Sequence, residues 1–434
     1  MRENGLPPRQ PKQRRRGGGR LALFCLLLVG ALVAAVLWTA DFRRERPNTA
    51  TVPPDFGGRE RPVFAAGAML EWDAVGTGAE LMLPLELLQA HVDPAIAYDE
   101  ASDSVIITTR DQVIRMRTDQ LTAYVNDEPV TLNFPVRSEE GRIYVPVQPL
   151  LDIYHIVVEE TESGAVLLRR PGEIVRWIEV PEAEGTDAAE NPAEPVKAAV
   201  RHEPTDQAPI AWEVAPADRA VLLEETRDGW YRIQGVSGYI GYVHEADVRL
   251  AETEVVPQPE RKGAFVPWKP LGGKINLTWE AVYSRNPDTG KIPDMPGLNV
   301  ISPTWFSLKQ NDQGEIYIRN LADSAYVDWA HKRGYQVWGL FSNDFDPDLT
   351  SKALADFDTR MKIIRELLGY AELYNLQGIN IDFENVYLKD KDLFTQFVRE
   401  LTPFLHEQDL VVSIDVTVRG GSEMWSLFAD RGKL

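Results

Sequence analysis

The chain has 434 residues, of which 44% are hydrophobic and 26% charged, enough for about two to four domains with real cores. Its net charge is −20, from 46 Lys and Arg against 66 Asp and Glu, and the first 46 residues carry ten basic and three acidic groups, so the rest holds −27. This argues against nucleic acid as a partner of the main body, because phosphate binding needs a basic face. The single cysteine, Cys25, lies in an apolar run, which excludes an internal disulfide framework and a Cys-based zinc site.

Residues 1–20 form a basic segment expected in the cytoplasm. Leu21–Ala40 is a run of twenty residues without a charge, long enough to cross a hydrocarbon core of ~30 Å. Arg2, Arg9, Lys12, Arg14, Arg15, Arg16 and Arg20 precede it. The positive-inside rule then places a single-pass anchor in the cell membrane, with the later domains extracellular. The alternative is a signal peptide cleaved after Ala34 or Ala35, which would release the domains; Trp38 spoils the cleavage pattern at the end of the run.

Residues 41–67, rich in Pro, Gly and charge, are expected to form a stalk. Residues 68–175 contain a repeat: Leu81–Thr108 aligns with Ile143–Arg170 at an offset of 62, matching Leu83-Pro84-Leu85 with Val145-Pro146-Val147. Each copy predicts a short strand, a helix starting near the proline and a hairpin. Val113–Asn133 alternates like further strands. This α+β pattern resembles the copper amine oxidase N-terminal-like domain of bacterial surface proteins. His91 and His155 stand alone, so no copper ligand set is expected, and the domain reads as a spacer or wall-contacting module.

Residues 176–197 are acidic and rich in Pro and Ala, as in a disordered linker. Residues 198–250 alternate as the strands of a small all-β barrel. Asp228-Gly229-Trp230-Tyr231-Arg232-Ile233 and Gly241-Tyr242-Val243-His244 resemble the C-terminal half of a bacterial Src-homology-3-like domain. Its aromatics, Trp230 and the tyrosines, either bind the cell wall or a peptide or fill a small core. Residues 251–271 form a second linker.

Residues 272–434 change to alternating strands and helices. Strands are expected at Ile275–Trp279, Asn299–Trp305, Gln336–Phe341, Gly378–Phe383 and Leu410–Thr417. Helices are expected at Asp323–Arg333, Ala353–Tyr374 and Lys391–His406. This order implies a parallel sheet, either a barrel or an open doubly wound sheet. No Gly-rich loop follows the first strand, which removes the dinucleotide reading.

In Gly378–Glu384, strand alternation projects Asn380, Asp382 and Glu384 from one face while Ile379, Ile381 and Phe383 pack behind. Acids at the C-terminal end of a buried strand are costly unless used, and in a parallel barrel that end is the catalytic face. A solvated strand end or an ion pair is the plainer explanation, and the flanking apolar pattern weighs against it. The segment Gln377-x-x-Asn380-x-Asp382-x-Glu384 resembles the D-x-x-D-x-D-x-E motif of the family 18 glycoside hydrolases. Asn-Ile-Asp-Phe-Glu-Asn and the later Glu423-Met424-Trp425-Ser426-Leu427 look like the spore cortex and peptidoglycan-active branch. Gln377 and Asn380 depart from the motif, with amides where the family has acids.

The resemblance implies a (β/α)8 TIM barrel and an O-glycosyl hydrolase that needs no cofactor or metal. Glu384 would be the acid and base, and Asp382 would hold the acetamido group of an N-acetylglucosamine-containing polysaccharide, peptidoglycan ahead of chitin. Side chains two apart on a strand lie ~6–7 Å apart and side by side, which suits substrate-assisted retention better than a pair flanking the bond. Asn380, Trp279, Glu280, Trp305, Asn343, Asp344 and Asn385 are the expected substrate contacts, with Tyr387 also near the cleft. Each tryptophan has two readings, a platform for sugar or a core side chain. Gly272–Leu434 is 163 residues, against about 250 for a full barrel. The expectation is therefore an incomplete barrel of about five strands whose own activity is in question. The rival reading is a non-catalytic cell-wall glycan-binding protein; a third is a scaffold in which the duplicated domain does the work.

Overall fold

The computed structural model describes residues 47–181, 197–258 apart from 217 and 227, and 274–416. The expected anchor at 21–40, most of the acidic linker and the Glu423–Leu427 motif lie outside the described residues. Among the described residues no helix is long and apolar enough to cross a membrane. The described residues divide into two units, one of those up to 58 with those of 174–254, and one of those of 59–173 with those from 255 onward.

The first unit is a seven-stranded sheet, in the order 210–214, 198–201, 240–244, 230–235, 219–225, 174–179, 249–255. Its core holds Ile178, Val200, Leu222, Ile233 and Val243. Trp230 is buried and meets His244 edge-on, so this aromatic fills core. The sheet is larger than the span 198–250 expected from sequence. Residues 176–179 and 251–255 lie in strands where linkers were expected. Part of the expected stalk is also packed: Thr51 bridges Ile210, and Phe56 is buried, stacked on Tyr239 at 4.4 Å. Proline-rich composition signals irregular backbone there, but Phe56 has apolar surface to bury.

In the second unit the repeat is plain. Strand Met82–Pro84 leads into helix Leu85–His91, and Arg142–Pro146 into Val147–Tyr154, each proline standing immediately before its helix. Proline's fixed φ and missing N–H suit a helix entrance. The two strands pair antiparallel with Leu83 opposite Val145, residues equivalent under the offset of 62. A local two-fold axis therefore relates the copies. A five-stranded meander covers residues 97–131, and Val105, Ile107, Ile114 and Met116 from it join Leu83, Leu88, Val145 and Leu150 in one core.

The remainder of this unit carries β1 (Leu277–Glu280), β2 (Val300–Pro303), β3 (Phe306–Gln310), β4 (Ile316–Asn320), α1 (Ser324–Lys332), β5 (Gln336–Ser342), α2 (Pro347–Leu354), α3 (Phe357–Tyr374), β6 (Gly378–Asp382), α4 (Lys391–Glu407) and β7 (Val411–Ile414). β1, β2, β5, β6 and β7 pair as parallel neighbours in chain order. That is the order of successive barrel strands; a doubly wound sheet reverses its order partway. Strands β3 and β4 form a hairpin beside β5 that alternation of helices and strands did not predict.

The long helix expected at Ala353–Tyr374 is two helices. Asp356 accepts the Thr359 amide at 2.8 Å and starts α3 anew, as a short acidic side chain does at an N-cap. Ile379, Ile381 and Phe383 pack against the helices with Phe341, Ile364, Leu367 and Phe397. That leaves Asn380 and Asp382 on the opposite face.

Candidate active site

Parallel strands set equivalent residues level, so register decides which side chains meet. Ser342 lies level with Asp382, and Asn380 with Ser413. Asn380 is 1% exposed. It donates to Asp415 Oδ2 at 2.6 Å and accepts from the Ser413 hydroxyl at 2.5 Å. Asp415 follows β7 and also accepts from Trp279 Nε1 at 3.2 Å. Trp279 belongs to the first strand and Asp415 follows the fifth. Four steps of ~4.8 Å would separate those strands in a flat sheet, so their meeting requires the sheet to curl towards a barrel.

Three carboxyls share this mouth. Burial, then Asp415, then Glu384 push the Asp382 carboxyl up to about 6. Burial also raises Asp415, opposed by the hydrogen bonds from Asn380 and Trp279. The charge that an acid at position 380 would supply is thus present next door on Asp415, gripped by the amide that replaces it.

Glu384 stands two residues beyond the strand's last hydrogen-bonded position. Its backbone is held by Asn343: the Asn343 Oδ1 accepts the Glu384 N–H at 3.0 Å, and its Nδ2 donates to the Glu384 carbonyl at 2.6 Å. Asn343 also donates to Thr350 Oγ1 at 2.8 Å and is 1% exposed. Its carboxamide is committed to the protein, so it positions Glu384 and does not face a ligand, contrary to the sequence expectation.

Other expected contacts are also reassigned. Trp305 is fully buried, donates to Asn286 Oδ1 at 2.6 Å and packs edge-on against Phe306 and Tyr326; it is core. Glu280 lies one residue from Trp279 and so on the opposite face. There it neighbours Tyr326 of the helix layer, whose hydroxyl is pushed up first by burial and then by the Glu280 charge. Asp344 is ion-paired with Lys309. Asn385 is exposed at the mouth with φ +56, and Tyr387 donates to Asp348 at 3.2 Å. Trp279, 57% exposed, remains an open ring.

Gln377 sits at the far end of β6. Its Oε1 accepts the Val337 amide at 3.0 Å and meets His331 Nε2 at 2.9 Å, while its Nε2 donates to the Asn375 carbonyl at 2.7 Å. It brackets the base of the strand, away from the acids. Phe345 escaped sequence reasoning. It follows β5 with φ +60, is 58% exposed, and its N–H points to the same Asn343 Oδ1 at 3.3 Å. A bulky residue held in the left-handed region is a costly conformation, of the kind that collects at functional sites. No local sequence signal announces it beyond an aromatic following a strand end.

Residues 66–167 match the family described as the copper amine oxidase N-terminal domain. The residues present do not suit a copper ion. His91 lies edge-on to Trp72 at 6.0 Å, His155 ends a helix with φ +52, and among the described residues no group of three or more His, Cys, Asp or Glu could hold a metal. The chain is related to bacterial glycosylases. It is 25% identical over 146 residues to the uncharacterised glycosylase YvbX of Bacillus subtilis, covering 32% of this chain and 41% of that protein. It is 32% identical over 65 residues to the cortical fragment-lytic enzyme of Bacillus anthracis, covering 15% of each. The spore cortex-lytic enzyme SleL of Bacillus megaterium QM B1551 aligns over 40% of this chain and 43% of its own at 20% identity, with a TM-score of 0.31. The chain spans about two-fifths of the length of the first curated relatives it matches.

Proposed function

We propose that this chain, related to spore glycosylases, belongs to a family 18-type glycoside hydrolase that cleaves N-acetylglucosamine-containing glycan, peptidoglycan ahead of chitin. The observation that carries the reading is the Asp382 carboxyl, poised near 6 by burial, Asp415 and Glu384 at the mouth of a curled parallel sheet. Glu384 gives a proton to the glycosidic oxygen as the C1–O bond breaks, and the substrate's 2-acetamido oxygen attacks C1. Asp382 accepts the acetamido N–H and balances the charge of the cyclic oxazolinium ion. Glu384 then takes a proton from water, which opens the ring with net retention. Exposed Trp279 offers an apolar face to a sugar ring.

The apolar run 21–40 and its basic flank support display at the outer face of a membrane, with the remaining domains placed to reach the wall. The reading is tested by reducing-end release from purified peptidoglycan and from chitin, by the chain and by Glu384→Gln. Release that Glu384→Gln abolishes supports it. Release that survives this change removes Glu384 from the mechanism, and sedimentation with the wall without any cleavage favours a glycan-binding protein instead.

A further inference from the structure

Asp99 belongs to the meander of residues 97–131, yet its carboxylate is buried among the helices behind the candidate site. It accepts the backbone N–H of Phe357, the first residue of α3, at 2.7 Å and lies 3.5 Å from Arg360 Nη2. Arg360 makes a bidentate pair with Glu400 of α4, at 2.7 and 2.9 Å, and donates to the Leu354 carbonyl at 2.8 Å. The Asp99, Arg360 and Glu400 side chains are 4%, 2% and 0% exposed. Ile106 and Val113 of the same meander belong to the apolar cluster of the barrel. Arg115 stands over the Phe357 ring at 4.7 Å and pairs with Asp358 at 2.8 Å. Farther along α3, Arg365 pairs with Asp127 at 2.7 Å.

These contacts converge on two helices. α3 runs directly into β6, and α4 leaves the loop that follows it, so the pair brackets the strand and loop bearing Asp382 and Glu384. The first N–H groups of a helix need acceptors from outside it and carry partial positive charge. For α3 one acceptor is its own Asp356 and another is Asp99, nearly 260 residues earlier in the chain.

We propose that the copper amine oxidase-like domain is a structural part of the barrel and not a spacer: Asp99 is a positioning residue that seats α3 and thereby β6. A tether needs no carboxylate buried in the body it carries, and burying one unpaired is expensive; here the charge is matched by Arg360 and the helix end.

The test is amide hydrogen exchange on the full chain with Asp99→Ala and Asp99→Asn. In Asp99→Ala, exchange is expected to rise at least tenfold over residues 357–361 and 378–384, while residues 143–150 of the domain's own core stay within twofold. Asparagine keeps an acceptor for the Phe357 N–H but loses the charge facing Arg360, so Asp99→Asn is expected to raise exchange over the same residues by a smaller factor, about threefold. Unchanged exchange at 378–384 in Asp99→Ala overturns the proposal, as does a rise of equal size in 143–150. Should the alanine variant not fold, the asparagine variant decides alone. A rise confined to 357–384 supports the proposal, and no rise there, or an equal one in 143–150, overturns it. None of these outcomes depends on the glycosidase reading.

Discussion

The carboxamide of Asn343 holds the peptide backbone of Glu384 at two points, accepting its N–H at 3.0 Å and donating to its carbonyl at 2.6 Å. Glu384 lies past the end of β6, where the sheet no longer fixes its backbone, so this clamp takes over the task. Asn343→Ala leaves two polar groups without their partner, each worth about 1–3 kcal/mol where water cannot replace it. On the proposed role of Glu384, reducing-end release is expected to fall at least tenfold in kcat with KM little changed, because its carboxyl is displaced and the cleft is not. Steady-state kinetics on peptidoglycan fragments checks this, and wild-type kcat in the variant would remove the clamp from the mechanism.

Asp382 makes stability depend on pH. The folded chain holds its proton up to about pH 6, whereas an unfolded aspartate releases it near 3.9. The group therefore contributes to stability fully below about pH 4, and loses that contribution as pH rises through 6. After allowance for solvent screening at a half-buried site, the loss is about 1–2 kcal/mol. Asp382→Asn should flatten the urea midpoint between pH 4.5 and 7.5 relative to the parent chain. Parallel curves for the two proteins would show that the carboxyl is not held protonated.

The features with strict periodicity were legible in the sequence. The five parallel strands, the duplicated strand and helix, and the shared face of Asn380 and Asp382 all follow from alternation or repetition along the chain. What escaped depends on contacts between distant segments. Alternation itself separates Glu280 from Trp279, but their common place at a strand end drew them together as expected contacts. Trp305 and Trp279 look alike in sequence, and only packing makes one core and the other rim. Asn343 is an ordinary loop amide until β6 is set beside β5. Asp99 has no local signal, because its partners Phe357 and Arg360 lie more than 250 residues away.

The two tryptophans should separate stability from binding. Trp305 is wholly enclosed, so Trp305→Ala is expected to cost about 3–5 kcal/mol. Trp279 is 57% exposed and held mainly by one hydrogen bond to Asp415, so Trp279→Ala should cost less than about 1 kcal/mol. If its ring carries a sugar, affinity for an N-acetylglucosamine oligosaccharide should weaken roughly tenfold, or about 1.4 kcal/mol. Thermal unfolding and calorimetric titration of both variants check the split. Unchanged affinity in a folded Trp279→Ala protein would leave that ring outside the glycan site.

The Arg360–Glu400 pair offers a sharper energetic test. Glu400 is fully buried, and among the described residues only Gln396 donates to its carboxylate besides Arg360, at 2.8 Å. Removing the guanidinium leaves a buried acid, so Arg360→Met is expected to cost about 3–5 kcal/mol. Replacing both partners removes the stranded charge. Arg360→Met with Glu400→Leu should therefore recover most of the loss, with a coupling of at least about 2 kcal/mol in the double-mutant cycle. Recovery should be incomplete, because Asp99 then stays buried with the α3 backbone and its own turn as its partners among the described residues. Adding Asp99→Asn to the double variant is expected to return part of the remainder at neutral pH. Denaturant midpoints for the single, double and triple variants measure each step. Additive losses across the series would mean that the three side chains act independently, which their shared hydrogen bonds and full burial argue against.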